Sequence, residues 1–433
     1  MMAQLIFILL LTVGGVLTAR RIKFIRRNIS LGRKFEPEGT PAERLRTMLL
    51  VALGQGKMFQ RPMAALLHLF VYAGFVIINI EVLEILIDGL AGTHRVFAFA
   101  GSIYNFLIAC FEVLALLVLL ACVAFIVRRV ALNIRRFRMR ELSGWPQKDA
   151  IIILVTEILL MSAFLLMNAA DALLQGRDAH YITAGSFPVS QFLQPMLQAL
   201  QLNVLVIIER FCWWFHIVGI MVFIIYLSYS KHLHIILAFP NTYYSKRRPA
   251  GDIGNNPLVT REVKLMLDPS AQVEPATEGT VRFGVKDVFD MDRRQLMSAY
   301  SCTECGRCSA ECPANITGKL LSPRKIMMDT RDRLEEVGTK MDAAGGEWQD
   351  DGKSLLRDYI TEEELWACTT CNACTQACPV NINPMEIIID LRRYLIMEES
   401  KSPESITAMF NNTENNGAPW AMSAADRANW TSN

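Results

Sequence analysis

Five apolar stretches constrain this chain before anything else does. A nearly uncharged run of about 20 residues is long enough to cross a bilayer as a helix. In lipid, a spanning segment that is not part of a closed barrel must satisfy its own backbone hydrogen bonds, so it has to be helical. The stretches lie near Ala3–Ala19, Pro62–Ile87, Ala98–Val127, Ala150–Leu174 and Val204–Phe239. Hydrophobic residues make up 52% of the chain and mean hydropathy is +0.26, and the excess is concentrated before residue 240. The first stretch has neither a basic start nor a small-residue cleavage site before its arginines, so it reads as a retained anchor, not a signal peptide.

Charge gives the expected orientation. Eleven Lys and Arg residues lie between the first two stretches, from Arg20 to Arg61, and seven between the third and fourth, from Arg128 to Lys148. The other two connections offer only Arg95 and Arg177. Basic loops stay on the cytoplasmic side, which predicts the N-terminus outside and the C-terminus inside. Lys246, Arg247 and Arg248 follow the fifth stretch and agree. Topology accounts for the basic loops, and with a net charge of +2 there is no reason to invoke nucleic acid.

Eight of the eleven cysteines form two identical strings. The first is Cys302-x2-Cys305-x2-Cys308-x3-Cys312-Pro313, and the second is Cys368-x2-Cys371-x2-Cys374-x3-Cys378-Pro379. This spacing wraps three thiolates round one iron–sulfur cube, and the fourth Cys characteristically ligates the other cube. The expected sets are therefore Cys302, Cys305, Cys308 and Cys378 for one 4Fe–4S cluster, and Cys368, Cys371, Cys374 and Cys312 for a second. Structural zinc usually takes two separated ligand pairs, and a disulfide framework needs an oxidising compartment. Cys110, Cys122 and Cys212 fall in apolar stretches and read as packing residues.

Histidine is scarce, six in all. His68 lies in the second stretch, and His216 and His234 in the fifth. In one unbroken helix the 18 residues between His216 and His234 are five full turns, about 27 Å along one stripe. His68 and His234 are expected near the same cytoplasmic edge, where two imidazoles can hold a b-type haem from both faces. His232 is the fallback ligand. Gly219, one turn on from His216, removes a side chain that could crowd a flat macrocycle.

Acidic residues at membrane depth suit proton transfer beside a quinone. Glu209 shares the His216 stripe. Glu81, Glu84, Glu112 and Glu157 are further candidates. The bland alternative is an ion pair of Glu209 or Glu84 with Arg210.

Five helices with histidines on the second and fifth resemble the nitrate reductase γ subunit and the membrane subunit of heterodisulfide reductase, over about residues 45–240. The twin strings resemble the small iron–sulfur subunit of heterodisulfide reductase, over about 285–395. Chains that fuse both modules look like quinone-linked iron–sulfur oxidoreductases. The resemblance implies two 4Fe–4S clusters, haem b and menaquinone or ubiquinone. It also implies a prokaryotic inner membrane and a cytoplasmic partner, either a CCG-repeat protein or one like electron-transferring flavoprotein. The γ-subunit pattern has two histidines on the second helix; here Asn79, with Ile78 beside it, stands three turns beyond His68. His216 is left for a second haem or a quinone, and His94 would reach only if the backbone doubled back. The chain has no adjacent cysteine pair, so a CCG module would sit on another polypeptide.

The expected fold is mainly α. A transmembrane cytochrome b-like domain (1–240) leads through a linker (241–284) to a helical cytoplasmic domain with two clusters (285–398) and a flexible tail (399–433). Ser322–Val337 and Lys353–Trp366 read as largely helical, with a capping box at Thr361-x-x-Glu364; Asp342–Lys353 reads as a loop. No dinucleotide Gly fingerprint and no nucleophile–base constellation is present. The expected function is an electron-transfer subunit that links a cytoplasmic redox partner to the quinone pool. Its rivals are a haem-free iron–sulfur anchor with a quinone site and a membrane redox sensor.

Overall fold

The computed structural model describes residues 1–249, 251–273, 282–423 and 425–432. The chain is 68% helical, with no strand among the described residues. Five helices are long and apolar enough to cross a membrane: α1 (Met2–Ser30), α2 (Pro62–Ala91), α3 (Ser102–Val130), α4 (Trp145–Leu174) and α5 (Leu202–Leu227). The chain divides into two compact units.

The first unit comprises Met1–Arg27, Thr40–Tyr243 and the short segment Tyr300–Gly306. Helices α2 to α5 each pack on the next. Small residues fill the contacts, among them Ala115 and Ala121 of α3 and Ala163, Ala169 and Ala170 of α4. Larger side chains such as Leu159, Ile207 and Phe211 point outward. A water-soluble protein would bury those groups. Lipid is as apolar as they are, so close backbone approach at small residues becomes the packing rule instead. Helix α1 is mostly exposed but docks through Phe7, which is fully buried between Gly89 and Trp213. A Cβ on Gly89 would lie 2.5 Å from the Phe7 ring, so only glycine permits this seat.

The fifth stretch is not one helix. Helix α5 ends at Leu227, a tight turn covers Lys231–Leu233, and a separate helix α6 (His234–Tyr243) follows. Ser228 and Ser230 cause the break. Ser228 Oγ donates to the Ile225 carbonyl, and Ser230 Oγ accepts from the His232 N–H, local bonds that compete with helix continuation. His216 and His234 therefore do not share the stripe expected of one unbroken helix.

The second unit comprises Asn28–Gly39, Tyr244–Ala299 and Arg307–Asn433. Its main helices are α7 (Arg307–Glu311), α8 (Pro323–Ala343), α9 (Ala373–Ala377), α10 (Pro384–Met397) and α11 (Glu404–Asn416). Helix α8 starts at Pro323 after Ser322, as a first-turn proline dictates, and buries Ile326, Met327, Leu334 and Val337 on one face. Arg333 of α8 is fully buried and pairs with Asp287 and Asp351, both at 2.7 Å. It thereby anchors the loop that follows α8. A Cβ on Gly284 would fall 2.1 Å from the Tyr394 nitrogen of α10, so the entry to this unit also requires glycine.

Three sequence expectations change here. The Lys353–Trp366 stretch breaks into Leu355–Asp358 and Glu362–Trp366, because the Leu356 N–H donates to the Lys286 carbonyl and the Arg357 N–H to Ile360. The capping box forms as expected, with Thr361 Oγ1 accepting from the Glu364 N–H and Glu364 accepting from the Thr361 N–H. The linker contains a helix, Pro257–Leu267, started by Asn256 Oδ1 accepting from the Leu258 N–H; its segment 274–281, with Pro275, lies outside the described residues. The tail expected to be flexible forms α11, which carries Ile406, Met409, Phe410 and Thr413 at helical spacing and stops at Gly417 with φ +65°. Residues 424 and 433 of that tail lie outside the described residues.

Candidate functional site: two cysteine loops and a histidine cluster

The two cysteine strings wind alike. In each, the residues on both sides of the middle Cys adopt left-handed backbone: Glu304 (φ +54°) and Gly306 (φ +70°) around Cys305, and Thr370 (φ +56°) and Asn372 (φ +61°) around Cys371. Residues such as Glu and Thr rarely take this conformation unless their surroundings hold them in it, while Asn does so more readily. Its appearance at matched positions in both strings marks one loop design used twice. Each string then enters a short helix, α7 or α9, and these two helices pack together.

Cys312 lines one small cavity with Cys368, Cys371 and Cys374; Leu321, Pro323, Met385 and Ile388 are also in its walls. The last cysteine of the first string thus stands with the first three of the second. Burial pushes the Cys374 thiol up to about 12 and raises Cys368 as well. Without a counter-charge these thiols hold their protons, and binding iron would displace them. Arg392 braces the rim by donating to the carbonyls of Leu365 and Cys368, at 3.0 and 2.6 Å. Two backbone N–H groups donate to cluster-type sulfurs: Thr370 to Cys368 Sγ (3.4 Å) and Ile382 to Cys378 Sγ (3.3 Å). Such bonds stabilise the reduced state of an iron–sulfur centre. The four thiols around one cavity suit a cube.

Cys302 and Cys305 lie in the Tyr300–Gly306 segment, which belongs to the membrane unit. Ser301 Oγ donates to the Leu237 carbonyl of α6 (3.3 Å). Glu304 reaches Lys231 at 2.7 Å, with both side chains buried.

Three imidazoles gather near Lys231. The rings of His232 and His234 are 5.3 Å apart, and His68 of α2 is within electrostatic reach of His232. Burial holds His232 well below the usual histidine range, helped by His234, His68 and Lys231, and burial lowers His234 too. Both rings are therefore neutral at physiological pH, the form that binds a metal. His234 Nδ1 lies 3.2 Å from the Lys231 carbonyl. A carbonyl only accepts, so Nδ1 carries the proton and Nε2 presents its lone pair. The cluster suits a haem iron, which His68 and either His234 or His232 would hold.

His216 is elsewhere, 1% exposed against α4, with Nδ1 donating to the Leu160 carbonyl (3.1 Å). The space expected beside Gly219 is filled by Leu160, whose Cδ2 would lie 2.7 Å from a Cβ there. The glycine admits the neighbouring helix, not a macrocycle.

The opposite end of the bundle holds most of the acidic candidates in a hydrogen-bonded network. Arg95 donates to Asp171 (2.6 Å), Tyr104 (2.9 Å) and Asn168 (3.0 Å). Glu84 accepts from Tyr104 Oη and the Phe97 N–H. Glu112 accepts from Asn168 and from the N–H groups of Val189 and Ser190. Glu209 pairs with Arg210 and accepts from Tyr181 Oη at 2.9 Å. His94 Nε2 lies 3.2 Å from Asp171 Oδ1, and its Nδ1 accepts from the Ile182 N–H (3.3 Å). Glu81 is buried within reach of Arg95. Glu157 stands apart, midway along α4. The sequence missed this network, although Arg95 alone in a short loop, facing Asn168 and Asp171 in an apolar helix, was its signal. It also missed Lys231, which directly precedes His232.

Fold and thiol geometry together define a class: a five-helix membrane module fused to a helical iron–sulfur domain. Residues 301–382 match the 4Fe-4S dicluster domain family. The chain is similar, over 98% of its length and at 26% identity, to the "Probable iron-sulfur-binding oxidoreductase FadF" of Bacillus subtilis. It is 28% identical over 90% of its length to the "EtfAB:quinone oxidoreductase" of Syntrophomonas wolfei. These matches span 60% and 54% of the two relatives, so the chain corresponds to a little over half of each. Over 28% of its length it is 33% identical to one component of the ferredoxin/F(420)H(2)-dependent CoB-CoM heterodisulfide reductase of Methanosarcina acetivorans, covering 60% of that protein. No solved structure matches the chain.

Proposed function

We propose that this protein is the electron-transfer subunit of a membrane quinone oxidoreductase. It carries electrons between a cytoplasmic redox partner and the quinone pool, menaquinone or ubiquinone. Cys302, Cys305, Cys308 and Cys378 hold one 4Fe–4S cluster, and Cys368, Cys371, Cys374 and Cys312 hold the other. One b-type haem binds between His68 and His234, with His232 as the alternate ligand. The cofactors supply the redox chemistry; the chain supplies position, dielectric and tautomer.

One observation carries the reading. The first cysteine loop and three clustered histidines belong to the same membrane unit, joined through Lys231. A haem-free anchor has no use for three imidazoles gathered beside a cysteine loop. The relative named for EtfAB and quinone supports the lipid-soluble carrier and a flavoprotein partner. The relative named as a component of a heterodisulfide reductase supports a further redox subunit as partner, for which a CCG-repeat protein is the alternative to a flavoprotein. The basic loops support an N-out, C-in orientation in a prokaryotic inner membrane, with the iron–sulfur domain in the cytoplasm. Glu209 is taken up by Arg210 and Tyr181, so the quinone site is not assigned to it, whereas His216 spends only Nδ1 on the Leu160 carbonyl and keeps Nε2 for a second haem or a quinone.

The experiment is anaerobic mixing of the purified protein with a reduced quinone analogue. Reduction of a haem b band and of cluster signals in step supports the reading. Cofactors that stay oxidised while a low-potential dye reduces them contradict the quinone assignment.

A further inference from the structure

We infer that Lys231 is a positioning residue that tethers the first cysteine loop to the histidine turn, and that its charge, set against Glu304, tunes the potential of the centre that loop holds. The inference rests on the reading above that Cys302 and Cys305 ligate a cube.

Lys231 is 8% exposed and uses both of its ends. Its ammonium donates to Glu304 Oε2 at 2.7 Å and to the Pro146 carbonyl at 2.5 Å, and it lies 3.6 Å from Asp149 Oδ2. Two of its three donors are thus hydrogen-bonded, and the Asp149 carboxylate adds an ion pair at longer range. Its carbonyl accepts from His234 Nδ1, fixing that ring's tautomer. Asp149 is fixed in turn, accepting from Tyr226 Oη and from the Lys231 N–H. Glu304 sits between Cys302 and Cys305 in left-handed backbone. A single residue therefore touches the cysteine loop with its side chain and a candidate haem ligand with its backbone.

A tether alone would not need charge. Burying three ionised groups is costly, and an apolar plug of the same volume commonly serves stability as well. What charge adds is a field. Lys231, Asp149 and Glu304 together carry a formal charge of −1. Reducing a cube adds negative charge to it, so each nearby charge shifts its potential, and burial leaves that shift largely unscreened. Lys231→Met takes the group to −2 and disfavours reduction. Glu304→Gln takes it to zero and favours reduction. Changing both restores −1.

The test is a redox titration of the cubes by electron paramagnetic resonance, on the full-length protein purified without oxygen. It compares wild type, Lys231→Met, Glu304→Gln and the double variant. The expected order of potential for one cube is Lys231→Met lowest, wild type and double variant together, and Glu304→Gln highest, with the other cube unmoved. A purely mechanical tether moves both single variants the same way and leaves the double variant no better than either. That result, or no shift in any variant, overturns the inference. If Lys231→Met fails to assemble, the order of wild type, double variant and Glu304→Gln still decides it. Wild-type protein without cubes overturns the underlying reading as well; cubes whose potentials ignore these charges overturn this inference alone.

Discussion

The two ends of the membrane bundle both bury titratable groups, but they use them differently. At the end formed by the start of α2 and the turn after α5, three imidazoles gather beside one lysine and its carboxylate partners. At the other end, about 24 Å away along α2 (the rise from His68 to Glu84), the titratable groups are chiefly carboxylates, most of them accepting from loop amides, hydroxyls or Arg95. Glu112 shows the second use: its oxygens hold Val189 and Ser190, and with them the connection between α4 and α5. Acids at membrane depth invite a proton-transfer reading, but here most of their lone pairs hold the fold together. His232 and His234 are instead held neutral and close together, the arrangement on which the proposed haem site rests.

Substitutions at the two ends should therefore fail in different ways. The largest effects are expected at the histidine end and in the cysteine loops. His68→Ala should abolish the haem absorption bands while leaving the iron–sulfur signals, read in a reduced-minus-oxidised spectrum. Cys312→Ser should remove half the acid-labile sulfide and abolish the same resonance signal as Cys371→Ser, not that of Cys305→Ser, because Cys312 lies in the cavity of the second string. Next comes the far end. Asp171→Leu leaves Arg95 buried and short of its main partner and should cost about 3–5 kcal/mol, seen as a lower melting temperature of detergent-purified protein. Haem and sulfide per folded molecule should stay unchanged, and a loss of haem in this variant would erase the contrast. Glu112→Gln keeps one acceptor and loses the charge, so about 1–3 kcal/mol is expected by the same assay. The smallest effect belongs to the half-exposed pair of Arg357 with Glu399: Arg357→Ala should cost no more than about 1 kcal/mol.

Much of this was legible in the chain. The twin strings and the five apolar stretches needed only spacing and length, because a cube imposes the first and a bilayer the second. Ser322-Pro323 and Thr361-x-x-Glu364 were readable as starts because caps are local. The end of α5 was not. Nothing in the hydropathy of Val204–Phe239 registers that Ser228 and Ser230 hydrogen-bond locally and stop the helix, so His216 and His234 were expected on one stripe. Gly219 was misread for a related reason, since a glycine in a membrane helix does not announce which neighbour approaches it. The Lys231–Glu304 pair joins residues 73 apart and could come only from tertiary structure. The helix α11 was missed because its apolar stripe is short and its composition polar.

The central claim is that one chain carries both iron–sulfur centres and a membrane haem. The most direct test is to measure iron, acid-labile sulfide and haem on protein purified without oxygen, together with its reduced-minus-oxidised spectrum. The account predicts two cubes and a b-type spectrum that vanishes with His68. Zinc or bare thiols at the eight cysteines, or cubes with no haem bands at all, would contradict it.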